Sequence, residues 1–355
     1  MNGALMWIVS AGIVLGGLDR ILGNRWGLGA RFEEGFQLLG PTAFSMAGIL
    51  CLTGLLSGGM GEGAKAFFSG IGLDPSMLSS FLAIDMGGYH LAKALQIDPL
   101  IGTYAGLVPT ATLGCSLVFT IPVGSQILQK EDQPSFAVGM AIGMVTLPFA
   151  LILGGLLFSL SFLTVLKQNL ALIILSLLLG LLLYRIPEKM IKGFQVLTVL
   201  LKIILTVGLV LGAVKQLTGA AFLPKLMPLP EAMAVVCQVC VFLLGALPLT
   251  ELLQRALKKP LSLLGKKLGM NDTSMMALLV GLVSAIPVLS LVKNMDRRGK
   301  IVNIAALFCS TAMFGAHIGF VSGVEPDYTL ALILSKCAGA IAAVLLAVLF
   351  TRKKD

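Results

Sequence analysis

The sequence predicts an all-α polytopic membrane protein of about eleven transmembrane helices, organised as two inverted five-helix repeats plus one extra C-terminal helix. Three observations carry that expectation. Of 355 residues, 57% are hydrophobic and only 12% charged, with mean hydropathy +0.97, whereas a soluble domain is about 25% charged. The apolar residues gather in runs close to the roughly 20 residues that cross a bilayer as a helix. Short motifs also recur in one order at nearly one spacing. A water-soluble enzyme is excluded, and no large soluble domain fits between the runs.

In chain order the runs are 4–22, 37–57, 74–96, 101–128, 136–160, 169–186, 195–216, 231–257, 273–294, 300–322 and 328–350. The first is longer than a signal-peptide core and lacks a basic flank or a small-x-small cleavage site, so it reads as a span. Gly87-Gly88 interrupts the third run, and Pro109 and Pro122 interrupt the fourth. Basic clusters between runs, such as Lys258, Lys259, Lys266 and Lys267, supply the formal charge of +9. That placement belongs to membrane loops and gives no reason to invoke nucleic acid. Loop Lys and Arg number 14 on the side of the carboxyl terminus against 10 on the other, which favours a cytoplasmic carboxyl terminus. The six cysteines lie in or beside apolar runs and make no disulfide framework. Cys237-x-x-Cys240 has no second pair to complete a metal site. Gly58–Lys65 lacks the Gly-Lys-Ser/Thr ending of a phosphate loop and reads as a flexible connection.

The recurring motifs are Arg20-Ile21 with Arg185-Ile186, Gly35-Phe36-Gln37 with Gly193-Phe194-Gln195, and Leu91, Lys93 and Ala94 with Leu253, Arg255 and Ala256. Leu-Val-x-x-Ile-Pro-Val follows from Leu117 and again from Leu282, and Thr146 and Phe149 match Thr311 and Phe314. The offsets run from 158 to 165. Five runs separate the two Gly-Phe-Gln motifs, an odd number, so the motifs fall on opposite sides of the membrane. The expected units are 1–163, 164–325 and 326–355, and inverted repeats of this kind place a substrate site at the midplane of a secondary transporter.

Asp85 lies near the centre of the third run, where a carboxylate costs about 2.5–3.5 kcal/mol and is a functional candidate. Tyr89, four residues on, shares its helical face, and Gly87 and Gly88 let the backbone open beside it. Carboxylate, aromatic ring and opened backbone suit a small organic cation. The alternative is an ion pair with Lys93, Lys202 or Lys336, or a protonated carboxyl between helices. Pro122 and Pro287 free carbonyls in the preceding turn, with Thr120 and Ser284 just ahead; both are expected to break their helices at the midplane, the alternative being ordinary proline kinks. His317 can contact substrate, relay a proton or join two helices by a hydrogen bond. Glu251 is placed to pair with Arg255 at i+4. No motif for a cofactor, a metal or a catalytic triad is present.

At these residues the chain resembles the ethanolamine permeases encoded with the bacterial ethanolamine-utilisation enzymes. The resemblance runs through Asp19-Arg20-Ile21-Leu22, Phe32-Glu33-Glu34-Gly35-Phe36, Asp85-Met86-Gly87-Gly88, Ile121-Pro122-Val123, Ile186-Pro187-Glu188-Lys189-Met190-Ile191, Met295-Asp296 with Arg298-Gly299-Lys300, and His317 with Gly319-Phe320. It implies a multi-pass protein of the bacterial inner membrane that imports ethanolamine. Asp85 would then meet the ammonium, and Thr120, Ser284 or Tyr89 the hydroxyl. The chain departs from the family at Ala316, where members can carry an acid, and at Ser284-Ala285, where they can carry an Asn pair. The expectation is therefore a transporter of this small-molecule substrate by alternating access, surrounded by membrane lipid, with no cofactor and with room for a homo-oligomer. The alternatives are a carrier of another small amine or solute, and an amine-binding membrane sensor that moves nothing.

Overall fold

A computed structural model describes residues 2–59, 61–82, 85–219 and 226–352. The side chains of several further residues, Asp85 among them, lie outside the described set. Among the described residues there are only helices, and nine helical segments are long and apolar enough to span a bilayer. They are α1 (Asn2–Ile21), α2 (Leu28–Gln37) continued by α3 (Leu39–Gly59), and α7 (Pro99–Pro109) continued through two wide π turns into α8 (Ile121–Ile127). After these come α9 (Gln133–Leu157), α10 (Phe162–Arg185), α11 (Pro187–Thr218) and α12 (Leu229–Leu268). The last two are α15 (Arg297–Ser310), broken before α16 (Ile318–Val324), and α17 (Thr329–Phe350). The short pieces are α4 (Gly61–Gly70), α5 (Ser79–Leu82), α6 (Gly88–Leu95), α13 (Asp272–Gly281) and α14 (Ala285–Leu291). The stretch expected to be a loop at Gly58–Lys65 is instead the junction of α3 and α4, Met60 lying outside the described residues.

Two of the eleven expected spans are corrected. The runs 74–96 and 273–294 are apolar enough to cross, but each folds back on itself. At the first, Asp74 Oδ2 accepts the backbone N–H groups of Ile97 (3.1 Å) and Asp98 (2.8 Å), so the segment begins and ends at one point. At the second, Asp296 Oδ1 accepts the N–H of Asn271 (2.8 Å), and the Asn271 amide reaches the Asn294 carbonyl (3.0 Å). Each run is thus a hairpin whose arms are short: α13, at ten residues, is about 15 Å long, half the hydrocarbon thickness. Composition is blind to this difference, because a hairpin buried among other helices is as apolar as a span.

Nine crossings place α1 and α17 so that the chain begins at one face of the bundle, the N-face, and ends at the other, the C-face. Hairpin 1 (α5–α6) opens at the N-face and hairpin 2 (α13–α14) at the C-face. Contacts between distant segments agree. Phe158 stacks on Tyr328 with ring centroids 4.2 Å apart at the N-face, and Lys300 pairs with Asp132 at the C-face. The centre belongs to α7–α8 and α15–α16, whose apolar windows are 89% and 83% buried, against 22% for α1 and α11.

Two helix crossings pass at glycine. A Cβ on Gly48 of α3 would stand 2.0 Å from the Leu205 carbonyl oxygen of α11, and one on Gly245 of α12 would stand 2.1 Å from the Val9 carbonyl oxygen of α1. Their partners are Gly208 and Gly12, where a Cβ would likewise stand 2.1 Å from Gly48 O and 2.4 Å from Gly245 O. Such close approach needs the absence of a side chain.

Asp296 also fixes the start of α15, its Oδ2 accepting the Gly299 N–H (2.9 Å) while Oδ1 takes the Ser274 hydroxyl (2.7 Å). Partial burial pushes this carboxyl up, and the bonds from Asn271, Gly299 and Ser274 outweigh it, so the group sits below its ordinary value. A depressed carboxyl contributes stability that is complete above its unfolded pKa and lost as pH falls through the folded one. Asp296→Ala is expected to cost about 1 kcal/mol at neutral pH, the usual loss for a cap. Thermal unfolding in detergent from about pH 6 to about pH 3 should show the gap between wild type and variant closing at the acid end.

Candidate functional site

Hairpin 2 and the broken helix α15–α16 meet at their interruptions. α13 ends at Gly281 and α14 restarts at Ala285; α15 ends at Ser310, and Ala312 takes a left-handed conformation (φ 54°) before α16. That conformation is uncommon for a residue with a Cβ. The Phe314 N–H donates to the Leu282 carbonyl (2.7 Å), and a Cβ on Gly315 would lie 2.5 Å from the Val283 oxygen. Backbone thus pairs with backbone at membrane depth, as irregular chain there requires. The C-terminal, partially negative ends of α13 and α15 both finish here.

Beside this junction is a cavity of ≈ 300 Å³ reaching towards the C-face, at the small end of ordinary ligand sites. Its lining joins Glu34, Thr42, Cys115, Phe119, Ser284, Pro287, Thr311 and Ala316. Glu34 stands towards the C-face with its side chain 40% exposed. It accepts Arg31 Nη1 at 2.8 Å; Arg31 Nε reaches Glu251 at 3.1 Å, and Glu251 takes Arg255 at 3.0 Å, the i+4 pairing expected of it. Clefts of ≈ 220 Å³ and ≈ 510 Å³ alongside α1 are lined chiefly by apolar side chains, with no charged residue among the described ones.

Hairpin 1 presents the other interruption. Asp85 opens the short turn Asp85–Gly87, and Gly87 comes so close to α3 that a Cβ would meet Ile49 Cγ2 at 2.4 Å. The tip packs on the π turn Thr110–Gly114, where Ser79 Oγ and Thr110 Oγ1 lie 3.4 Å apart. Into the same turn the fully buried Lys336 donates to the Ala111 carbonyl (2.6 Å), one of the carbonyls a π turn displaces from its helical partner. Tyr89 and Lys93, on the returning arm, both reach Glu325 at the end of α16: the phenol donates at 2.7 Å and the ammonium at 3.4 Å. Lys93 also donates to Thr103 Oγ1 (3.1 Å), and the Tyr89 ring packs edge-on against Phe320 at 5.5 Å.

The candidate residues therefore fall into separate groups. Ser284 and Pro287 line the cavity. Tyr89 is engaged at the N-face. Gly88 is buried at the start of α6. Thr120 is buried with its hydroxyl unsatisfied, and His317 is fully buried just behind the α15–α16 break. Pro122 does not break its helix; it lies at the start of α8. Pro287 follows its break, which falls at Leu282–Ser284. The two Ile-Pro-Val segments sit side by side towards the C-face, a Cβ on Gly124 lying 3.4 Å from Leu289. Lys202 is exposed on α11 and not buried against a carboxylate. Sequence reasoning missed Glu34, Thr311 and Glu325. Glu34 and Glu325 read as loop charges, and nothing local marks their long-range partners.

The fold and this junction define a polytopic helical membrane protein with two hairpins entering from opposite faces and a discontinuous helix between them. The chain belongs to the family described as ethanolamine utilisation protein EutH, which it matches over residues 1–350. It is 35% identical over 345 residues to the probable ethanolamine permease EutH of Listeria monocytogenes, covering 97% of this chain and 92% of that one. It is 35% identical over 344 residues to the uncharacterized protein YxeR of Bacillus subtilis (97% and 93%), and 32% identical over 394 aligned positions to the probable ethanolamine permease EutH of Escherichia coli (100% and 97%). No solved structure matches. The protein is a multi-pass transporter-family protein of the bacterial inner membrane.

Proposed function

We propose that the protein imports ethanolamine, a small protonated amino alcohol, by alternating access. The observation that carries this reading is the pair of hairpins opening at opposite faces, one of whose tips bounds a cavity. Secondary transporters place their sites at such discontinuities, between inverted halves. The substrate is suggested by the relatives in Listeria monocytogenes and Escherichia coli, both named probable ethanolamine permeases.

The halves in this proposal are 2–157 and 187–350, with α10 as the unpaired helix. Support comes from the glycine crossings, where Gly12 and Gly208 are 196 positions apart and Gly48 and Gly245 are 197. Left-handed glycines follow suit, Gly23 with Gly219 and Gly72 with Gly269. The flanking sequence agrees: Gly12-Ile-Val-Leu-Gly16 with Gly208-Leu-Val-Leu-Gly212. This register replaces the 158–165 spacing and its boundaries at 163 and 325.

Orientation follows from the hairpins. With them folded back, seventeen described Lys and Arg lie towards the C-face, and four, Lys65, Lys93, Lys167 and Lys215, towards the N-face. The C-face is then cytoplasmic, the cavity opens inwards, and the contacts of Tyr89 and Lys93 with Glu325 close the outer side. Asp85, Gly87 and Gly88 are proposed to receive the ammonium at the hairpin 1 tip, with Thr120, Ser284, Pro287 and His317 completing the route between the tips.

Uptake of labelled ethanolamine into proteoliposomes, with choline and small amines as competitors, tests the function. Saturable, competable uptake is expected in wild type, and at least a hundredfold less in Asp85→Asn protein that is folded and membrane-inserted. Binding without uptake would mean a sensor. Wild-type uptake in Asp85→Asn would leave that carboxylate a structural role.

A further inference from the structure

We infer that the ≈ 300 Å³ cavity beside the α15–α16 break is an inward-facing binding chamber for a primary ammonium carrying a hydroxyl, with Glu34 as its carboxylate. The inference rests on the proposed import function and adds a site distinct from Asp85.

The chamber's chemistry is one-sided. Among the described residues of its lining, Glu34 is the one acid and none is basic. Arg31 uses Glu34 Oε2 and is shared with Glu251, so the Glu34 carboxylate keeps accepting capacity through its other oxygen. Phe119 adds an aromatic ring to the lining, a group that attracts cations, and the ends of α13 and α15 contribute partial negative charge. All three features select an ammonium and disfavour an anion.

The hydroxyl has its own receptors. Ser284 stands where a helix-capping side chain would, at φ −154°, ψ 141°, yet makes no capping bond, so its hydroxyl is not spent on α14. Thr311, at the end of α15, lines the same space. A carboxylate at one end and two hydroxyls at the junction match the two ends of a short amino alcohol. The apolar contribution of Leu243, Leu247 and Ile286 leaves little to hold a larger polar solute.

The test is equilibrium binding of labelled ethanolamine and labelled ethylamine to purified protein, wild type against Glu34→Gln, Glu34→Asp, Glu33→Gln and Ser284→Ala/Thr311→Val. Glu33 pairs with Arg20 (2.6 Å) away from the chamber. Expected are a tenfold or greater weakening for both amines in Glu34→Gln, partial recovery in Glu34→Asp, no change in Glu33→Gln, and loss of the preference for ethanolamine over ethylamine in the double variant. Should Glu34→Gln fail to fold, labelling of Ser284→Cys by N-ethylmaleimide replaces it, and ethanolamine should slow that labelling. Ethanolamine binding of wild-type strength in folded Glu34→Gln, or labelling of Ser284→Cys indifferent to ethanolamine, overturns the chamber and leaves import standing. If wild type binds ethylamine or another amine but not ethanolamine, the import reading fails, and the chamber then stands or falls on whether Glu34→Gln weakens that amine. Absence of any amine binding overturns both.

Discussion

Gly48→Val and Gly245→Val are each expected to abolish recovery of folded protein, and to do so to the same degree. At both positions the first side-chain atom would land 2.0–2.1 Å from a carbonyl oxygen of the crossing helix, well inside van der Waals contact. The obstacle is backbone, so no rotamer change relieves it. Overpacking in a well-packed core costs about 1–3 kcal/mol when side chains can give. Here α3 must part from α11, or α1 from α12, and the loss is expected at or beyond that range's upper end. Alanine suffices to create the clash, so Gly48→Ala and Gly245→Ala should fold but melt well below wild type. Gly17→Ala is the control: it lies on α1 with nothing within 4 Å of a Cβ, and alanine favours a helix interior by up to about 1 kcal/mol. Size-exclusion yield and melting temperature in detergent are the readouts. Equal penalties at Gly48 and Gly245 support matched roles in two halves; a tolerated Gly245→Val beside a lethal Gly48→Val would sink the proposed register.

The proposed register is hard to read in the sequence for physical reasons. The Ile-Pro-Val recurrence joins α8 and α14, which touch through Gly124 and Leu289; in the proposed register it marks neighbours rather than symmetry mates. In a chain this rich in Leu, Ile, Val and Gly, tripeptides recur by composition. The glycine spacing that tracks the crossings depends on which carbonyl each glycine faces, a fact of three dimensions. Hydropathy likewise located every membrane-embedded segment, because burial in lipid and burial among helices both demand apolar side chains. It could not separate a hairpin from a span, since the difference lies in Asp74 and Asp296 each closing a loop some 25 residues wide. Mid-run Asp85 and the Gly87-Gly88 pair did mark a real interruption. Glu34 lies within the stretch Phe32-Glu33-Glu34-Gly35-Phe36, yet the role proposed for it depends on a cavity built from five separate stretches of chain.

Glu325→Gln is expected to shift the protein towards its outward-open form. Glu325 receives both the Tyr89 phenol and the Lys93 ammonium, and these tie the returning arm of hairpin 1 to the end of the discontinuous helix. Among the described residues the returning arm of hairpin 2 makes no such contact at the C-face: α14 meets α8 through apolar contact at Leu289 and Gly124, and the C-face ion pair of Lys300 with Asp132 joins α15 to the turn before α9 instead. The asymmetry favours closure of the outer side. Hydrogen bonds to a charged group contribute about 1.5–3 kcal/mol when buried. With the Lys93 and Glu325 side chains 32% and 25% exposed, the lower end applies, and about 1.4 kcal/mol already corresponds to a tenfold change in population. A cysteine at Phe320, 1% exposed behind Tyr89, reports the opening. Its labelling by an impermeant maleimide from the outer side should quicken about tenfold when Glu325→Gln is added. Because apparent affinity scales with the fraction of binding-competent protein, the KM for uptake should fall in the same variant while that fraction is small. Lys93→Gln should act similarly, and Tyr89→Phe less, since it removes one hydrogen bond to the carboxylate and leaves the ion pair. Unchanged labelling together with an unchanged KM in Glu325→Gln would show that these contacts merely anchor hairpin 1, and the outer closure would have to be sought elsewhere along α6 and α16.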